Sequence, residues 1–171
     1  FDTVVERYFR DIPANLREFE RAHPMPVSSF TKITGKGTHQ THSMIGGRAY
    51  SFKDKKRPPL LLLVNTPGGP SANSLLNGLL REKNALSYSV ESSYIPFTDT
   101  GITSIYFSCD RENHDRCLEL VSRQLAELRE KELSPRRLAI AKKQFMGQLA
   151  IQEESNEGFM LGAAKSQMLY G

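Results

Sequence analysis

Two hydrophobic periods meet in LLREKNALSYSV, residues 79–90. Up to Lys83 leucines recur at the interval of a helix, which predicts a helix over residues 71–83. From Leu86 to Val90 apolar and polar side chains alternate, which is the pattern of a strand with one buried face. The sequence therefore predicts a helix that passes within a few residues into a strand.

A hairpin is predicted directly after this junction. Asp99-Thr100-Gly101 is a turn signal, and the β-branched and aromatic residues of 102–109 suit the returning strand. Residues 39–52 predict a further strand, interrupted at Gly46–Gly47. The hairpin and this strand together indicate an antiparallel sheet.

The segments between these strands are less regular. Residues 13–38 contain three prolines and predict an irregular connection with a short strand over residues 29–33. Leu60–Val64 fits either a buried strand or a helical turn, because so short an apolar run has no readable period. Pro67-Gly68-Gly69-Pro70 is expected to end that element.

Helices are predicted at both ends of the chain. Apolar residues at helical spacing predict an amphipathic helix over residues 1–11, and three helices fill the last third. Asp110 is a candidate N-cap, Ser134-Pro135 is a strong start signal, and Gly171 is a candidate C-cap of a helix over 156–170. The residues expected to face inward in these three helices are Cys117, Val121, Leu125 and Leu128, then Leu138, Ala141, Phe145 and Leu149, then Phe159, Ala163 and Ala164. The whole order predicts one α+β domain over residues 1–171, with an antiparallel-rich mixed sheet and helices packed on one face.

Composition excludes several classes of protein. The 171 residues are 39% hydrophobic and 25% charged, which is typical of a globular domain. The longest apolar run, Leu60–Val64, is far shorter than a membrane span, so no membrane partner is expected. The net charge of +4 is small and the signs are interleaved, which does not favour nucleic acid. Cys109 and Cys117 are too few for a disulfide scaffold and are expected to be buried thiols.

Taken alone, the residues do not form a catalytic set. His39 and His42 form the only closely spaced histidine pair, but residues three apart on a strand point to opposite faces, and we interpret them as strand-end histidines rather than zinc ligands. The loop at residues 67–70 lacks the motifs of a phosphate cradle and is interpreted as a turn. Glu153, Glu154 and Glu157 are interpreted as solvated carboxylates.

Residues 79–90 do, however, resemble a family signature. The insulinase/pitrilysin family of zinc metallopeptidases, which includes the mitochondrial processing peptidases, carries Leu-Arg-Glu-Lys-(Arg)-Gly-Leu-Ala-Tyr-Ser-Val in the second half of its two-domain unit. Gly68-Gly69-Pro70, followed by Asn73-Ser74, is similar to the family's Gly-Gly-Pro-Gly-x-Asn-Ser. The resemblance extends from about His39 to the end of the chain.

The resemblance implies a role for two residues. In this family the zinc-bearing half carries an inverted His-x-x-Glu-His motif, whereas the second half closes over the substrate and contributes an Arg and a Tyr seven residues apart. Arg81 and Tyr88 have that spacing and are expected to bind substrate. A guanidinium can hydrogen-bond a peptide carbonyl, and a phenol can donate to the oxygen that becomes negative in the tetrahedral intermediate.

The sequence also departs from the family pattern. Ala85 replaces the family's Gly, so a positive φ at that position would strain it. Ser87 replaces an Ala, and Leu75 replaces an Arg. The inverted zinc motif does not occur in the 171 residues, so neither catalytic residues nor metal ligands are expected in this segment. The first strand and helix of a complete half-domain are also missing before Phe1, which indicates an N-terminally truncated fragment.

The resemblance thus implies the non-zinc, C-terminal half of a zinc metallopeptidase. Its expected partners are a zinc-bearing half, on the same chain or another, and an extended peptide; the segment alone should be inactive. Two alternatives stay open: an inactive scaffold subunit of the same fold, and a basic nucleic-acid-binding α+β domain. The lack of an RNP or KH motif in the sequence argues against the second alternative. The sequence does not distinguish a bacterial cytoplasmic, periplasmic or mitochondrial location.

Overall fold

Three strands and five α-helices make up most of the computed structural model, which describes residues 2–13, 22, 24–71 and 73–170. The strands are β1 (Gln40–Ala49), β2 (Ser87–Pro96) and β3 (Gly101–Asp110). The helices are α1 (Asp2–Phe9), α2 (Arg57–Gly68), α3 (His114–Glu130), α4 (Pro135–Glu153) and α5 (Asn156–Tyr170). A π-helical segment covers Asn77–Lys83, and a short 3-10 turn covers Arg111–Asn113.

The strands form one antiparallel sheet in the order β1-β3-β2, with β3 in the centre. Ile105 of β3 lies opposite Ile45 of β1 and Ser92 of β2. Because side chains alternate along a strand, residues at this register position share one face of the sheet and their neighbours share the other. The predicted α+β class and the β2–β3 hairpin are confirmed, and Gly46–Gly47 lies within β1 instead of interrupting it.

Helices cover one face of this sheet. The buried core consists of Leu76, Leu80, Val90, Ile105, Phe107, Cys109, Cys117, Leu120 and Val121. These residues come from β2, β3, α3 and the segment around the π-helix, so α3 and the π-helix pack on the β3 face that carries Phe107. Full burial of each large apolar side chain contributes roughly 1.5–3 kcal/mol. The predicted burial of both cysteines is confirmed, and both are free thiols.

The apolar run Leu60–Val64 is helical and belongs to α2, which begins at Arg57 with prolines in its first turn. The helix includes Pro67 and ends at Gly68, so its predicted end within residues 67–70 is confirmed. A Cβ on Gly68 would lie 2.6 Å from the backbone N of Ser92, and the Ser92 hydroxyl donates to Val64 O. A glycine at this position therefore lets α2 approach β2 closely.

Several expectations for the helices are wrong or only partly met. Ser134 does cap α4, since its Oγ accepts from the Arg137 amide. The helix predicted over 71–83 begins only at Leu75 and becomes π-helical, and residues 24–38 contain no strand. The inward stripes of α4 and α5 are half-buried at best, and Phe159 is 66% exposed. Within the described residues, α4 packs against α2 and α5 without fully burying any side chain, whereas the predicted stripe of α5 is exposed. Phe1, Ala72, Gly171 and part of the irregular connection lie outside the described residues.

Candidate functional site

The helix-to-strand junction predicted from the sequence is closed by a short turn. The backbone amides of Asn84 and Ala85 both donate to Arg81 O, and the Leu86 amide donates to Leu80 O at 2.8 Å. The Asn84 side chain also donates to Leu79 O. These bonds satisfy carbonyls at the end of the π-helix that would otherwise lack partners. They fix the direction in which the chain leaves Arg81 and enters β2.

Ala85 makes this turn in the left-handed region, with φ 51°. It is the one non-glycine residue with positive φ among those that the structure describes. An L-residue in this conformation costs roughly 1–2 kcal/mol because its Cβ crowds the following carbonyl. Ala85 thus adopts the positive φ at which strain was expected.

Tyr88 occupies a β-bulge at the start of β2. Ser87 lies opposite Cys109 and Ser89 lies opposite Ser108, so Tyr88 is the extra residue without a partner on β3. The Ser87 hydroxyl donates to both Ser89 O and Ser108 O, which closes the irregular ladder. A bulge of this kind changes the direction of a side chain. Tyr88 is accordingly exposed, with 54% of its surface accessible.

The phenol of Tyr88 is hydrogen-bonded to Asp110. Its hydroxyl lies 3.1 Å from each carboxylate oxygen. This hydrogen bond, with the negative charge of the carboxylate, raises the pKa of Tyr88 above its ordinary value. The hydroxyl is thus held as a neutral donor. Asp110 was missed as a partner of Tyr88 because the sequence suggested a helix cap for it.

Arg81 lies near the end of the π-helix with an exposed side chain. Its Nε is 4.0 Å from Glu82, a distance and exposure at which an ion pair contributes little. Among the described residues no hydrogen bond or ion pair connects Arg81 with Tyr88. The structure therefore presents the two predicted site residues as separate exposed groups on either side of the Ala85 turn.

The sheet face opposite the helices is polar along its middle. Ser89 and Ser93 of β2 pair through their hydroxyls with Ser108 and Ser104 of β3, each at 2.8 Å. His42 Nδ1 lies 2.7 Å from the Tyr106 hydroxyl, and the two rings are stacked. The alternating pattern of β1 and β3 places His42 and Tyr106 on one face, but their contact depends on a strand register that the sequence does not reveal.

A shallow depression of about 560 Å³ lies beside this end of the sheet, lined by His39, Asp110, Arg111 and Glu112. The described residues contain no group of three or more His, Cys, Asp or Glu side chains arranged to hold a metal ion. His42 contacts Tyr106, whereas His39 lines the depression, so the two histidines do not share one site. The site is thus a set of hydrogen-bond donors and charges beside the sheet face that none of the described helices covers.

Comparison with known protein families identifies the family of this chain. The family described as "Peptidase M16 inactive domain" matches residues 2–145, well over half of the chain. The chain belongs to this family. The M16 inactive domain accounts for the resemblance of residues 79–90 to zinc metallopeptidases, and the expected kinship is confirmed.

Relatives of this M16 inactive domain are longer proteins. It is 27% identical over 136 residues to the uncharacterized zinc protease YmxG of Bacillus subtilis, covering 80% of this chain and 33% of that protein. It is 27% identical over 140 residues to an uncharacterized zinc protease of Streptomyces coelicolor, covering 82% of this chain and 30% of that protein. The chain thus spans about a third of the length of these curated relatives.

Solved structures agree on the fold of the M16 inactive domain. The peptidase M16 inactive domain from Pseudomonas fluorescens superposes with a TM-score of 0.68 at 22% identity, covering 78% of this chain and 31% of that one. A protease from Helicobacter pylori superposes with a TM-score of 0.73 at 18% identity, covering 97% of this chain and 41% of that one.

Within the described residues, no helix is both long and apolar enough to cross a bilayer.

Proposed function

We propose that this M16 inactive domain is the non-catalytic half of a zinc metallopeptidase, which closes a chamber and binds an extended peptide. Zinc and the general base would be supplied by a partner half, on the same chain or another. The family assignment and the names of the relatives, which are zinc proteases, support this role. When bound in the partner half, zinc would activate water for attack on the peptide bond.

The observation that carries the proposal is the pair of backbone irregularities around the two predicted residues. Ala85 holds an unfavourable left-handed conformation, and Tyr88 interrupts the ladder between β2 and β3. Strain and bulges of this kind concentrate at functional sites. Their combined result is that a guanidinium and a phenol both lie exposed at one junction.

Tyr88 can act on the reaction itself. Because its phenol is neutral and exposed, it can donate a hydrogen bond to the carbonyl oxygen that gains negative charge during attack. Donors of this kind act only if they are protonated; a phenol already keeps its proton at neutral pH, and the raised pKa of Tyr88 extends this to higher pH. In the resting protein that proton is directed at Asp110.

Arg81 would bind the peptide instead of activating it. A guanidinium offers several donors in one plane and matches the carbonyl oxygens of an extended backbone. Its only ion pair in the described structure, with Glu82, is long and exposed, so it can be exchanged for a substrate carbonyl at little cost.

The uncovered sheet face would form one wall of the chamber. Exposed apolar residues flank its serine pairs, namely Met44 on β1, Ile95 on β2 and Ile102 on β3. A face with hydroxyls along its middle and apolar side chains at its margins suits an extended peptide, which has both polar backbone and side chains to bind. The substrate class supported best is therefore unstructured peptide.

Arg81 provides the test of this function in the complete zinc-containing protein. Arg81→Ala should raise the KM for an unstructured peptide while kcat and zinc content stay near wild type, since the zinc ligands lie in the other half. The control is Arg129→Ala, because Arg129 is also exposed and pairs with the glutamate that follows it. Wild-type KM in Arg81→Ala would contradict substrate binding here. Absence of both zinc and peptide cleavage in the wild-type protein would instead favour a scaffold subunit.

A further inference from the structure

Asp110 is the last residue of β3, and its carboxylate takes no part in capping the turn that follows. The backbone at Asp110 is extended, and no side-chain bond reaches the 3-10 turn of Arg111–Asn113. Asp110 thus occupies the N-cap position of this turn, as expected, but its side chain does not cap it. Its carboxylate is left available for another contact.

That contact is the hydroxyl of Tyr88, which lies on a different strand and 22 positions away in sequence. The bulge leaves Tyr88 without a paired residue opposite it in the strand ladder, and in the described structure the Asp110 carboxylate is the one group that accepts a hydrogen bond from its phenol. Both oxygens lie at 3.1 Å, longer than the roughly 2.5–2.7 Å of a strong O–H···O⁻ bond. The phenol is thus oriented but loosely held.

Asp110 also borders open space. Together with His39, Arg111 and Glu112 it lines the depression of about 560 Å³. Asp110 thus belongs both to this depression and to the hydrogen bond with Tyr88, so a peptide lying here would approach the carboxylate that holds the phenol. The acceptor of the phenolic proton could then change from the carboxylate to a peptide oxygen by a small movement of the ring.

We propose that Asp110 is a positioning residue for Tyr88, which aims the protonated phenol along the end of the sheet until a peptide carbonyl replaces the carboxylate as acceptor. This inference rests on the proposed function. Only the hydrogen-bond acceptor changes in this exchange; no covalent bond breaks, because the proton stays on the phenol oxygen. The role assigned to Asp110 is its hydrogen bond to Tyr88, so its effect on cleavage should pass through Tyr88.

The test combines titration of Tyr88 with kinetics in the complete protein. Asp110→Asn removes the charge, whereas Glu112→Gln removes a neighbouring carboxylate of the same depression that does not bond Tyr88. We expect the pKa of Tyr88 to fall towards its ordinary value in Asp110→Asn and to change little in Glu112→Gln. The other charged or titratable groups near this pair are His39, Arg111 and the Cys109 thiol. The phenol signal is assigned by its loss in Tyr88→Phe.

The kinetic arm separates positioning from general structural damage. Asp110→Asn should lower kcat by about 10- to 100-fold, the usual cost of a misplaced catalytic group. In a Tyr88→Phe background the same substitution should have no further effect, because coupled residues are not additive. Three results would each overturn the positioning role alone. The first is an unchanged pKa of Tyr88 in Asp110→Asn, and the second is a full further loss of kcat when Asp110→Asn is added to Tyr88→Phe. The third is a wild-type kcat in Asp110→Asn when kcat in Tyr88→Phe is low. Wild-type cleavage by Tyr88→Phe would remove the proposed role of Tyr88, and that of Asp110 with it.

Discussion

The backbone amide of Ala85 donates to the carbonyl of Arg81 at 3.0 Å while Ala85 itself has φ 51°. One turn thus ends the helix that carries Arg81 and starts the strand that carries Tyr88. The hydrogen bonds of this turn hold Ala85 in a conformation that alanine adopts only at a cost, so the junction is strained.

Replacing Ala85 by glycine should relieve this strain. Because glycine adopts positive φ freely, we expect Ala85→Gly to raise the free energy of unfolding by about 1 kcal/mol, reduced somewhat by the greater freedom of the unfolded chain. Thermal or denaturant unfolding measures the change. Ala126→Gly in α3 is the matched control and should destabilise by roughly 1 kcal/mol. Equal destabilisation by both variants would show that Ala85 is not strained.

The close approach of α2 to β2 depends on Gly68. A Cβ there would lie 2.6 Å from the Ser92 backbone N, so Gly68→Ala must displace the helix or the strand. We expect a loss of about 1–3 kcal/mol in the free energy of unfolding, as for other overpacked sites. A Cβ on Gly78 would meet nothing within 4 Å, so Gly78→Ala should be neutral or stabilising. Similar unfolding midpoints for the two variants would contradict the observed packing.

The two thiols should be unreactive in the folded protein. Burial raises the pKa of Cys117 to about 12 and also raises the pKa of Cys109. Alkylation at pH 9, followed by mass spectrometry of the peptides that contain them, should label the denatured chain quickly and the native chain slowly. Rapid labelling of native Cys117 would contradict its burial.

The same pKa shift fixes a pH dependence of stability. In the unfolded chain the Cys117 thiol ionises near its ordinary value of about 8.5, whereas in the folded chain it keeps its proton to about 12. The unfolded state therefore binds fewer protons in this window, and stability should fall as pH rises through it. Cys117→Ala should reduce this slope between those pH values; an unchanged slope would assign it to other groups.

The spacing of hydrophobic residues predicted the hairpin and the helix-to-strand junction. The alternation from Leu86 to Val90 fits only a strand, and the spacing of the leucines before it fits only a helix. The run Leu60–Val64 could not be assigned, since its five residues suit helix and strand equally. The stripe that was expected to be buried is only partly buried on α4 and is exposed on α5, because a stripe indicates which side of a helix suits a partner, while the partner must be supplied by other parts of the fold.

The candidate site was only partly predictable. Arg81 and Tyr88 were found from a motif, and the strain at Ala85 followed from one missing glycine. The bond from Tyr88 to Asp110 could not be found, because it depends on a bulge that shifts the register by one residue. A sequence pattern gives the faces of strands but not the irregularities that redirect single side chains.

Removal of the Tyr88 hydroxyl tests the proposed role of this domain most directly. In the complete zinc-containing protein, Tyr88→Phe should lower kcat for peptide cleavage by about 10²–10³-fold, the usual cost of losing one donor to a developing oxyanion, with zinc content and unfolding midpoint unchanged. Tyr94→Phe is the control, because the Tyr94 hydroxyl donates to the Tyr50 carbonyl and its loss should leave kcat near wild type. Wild-type kcat in a folded, zinc-loaded Tyr88→Phe protein would contradict the account.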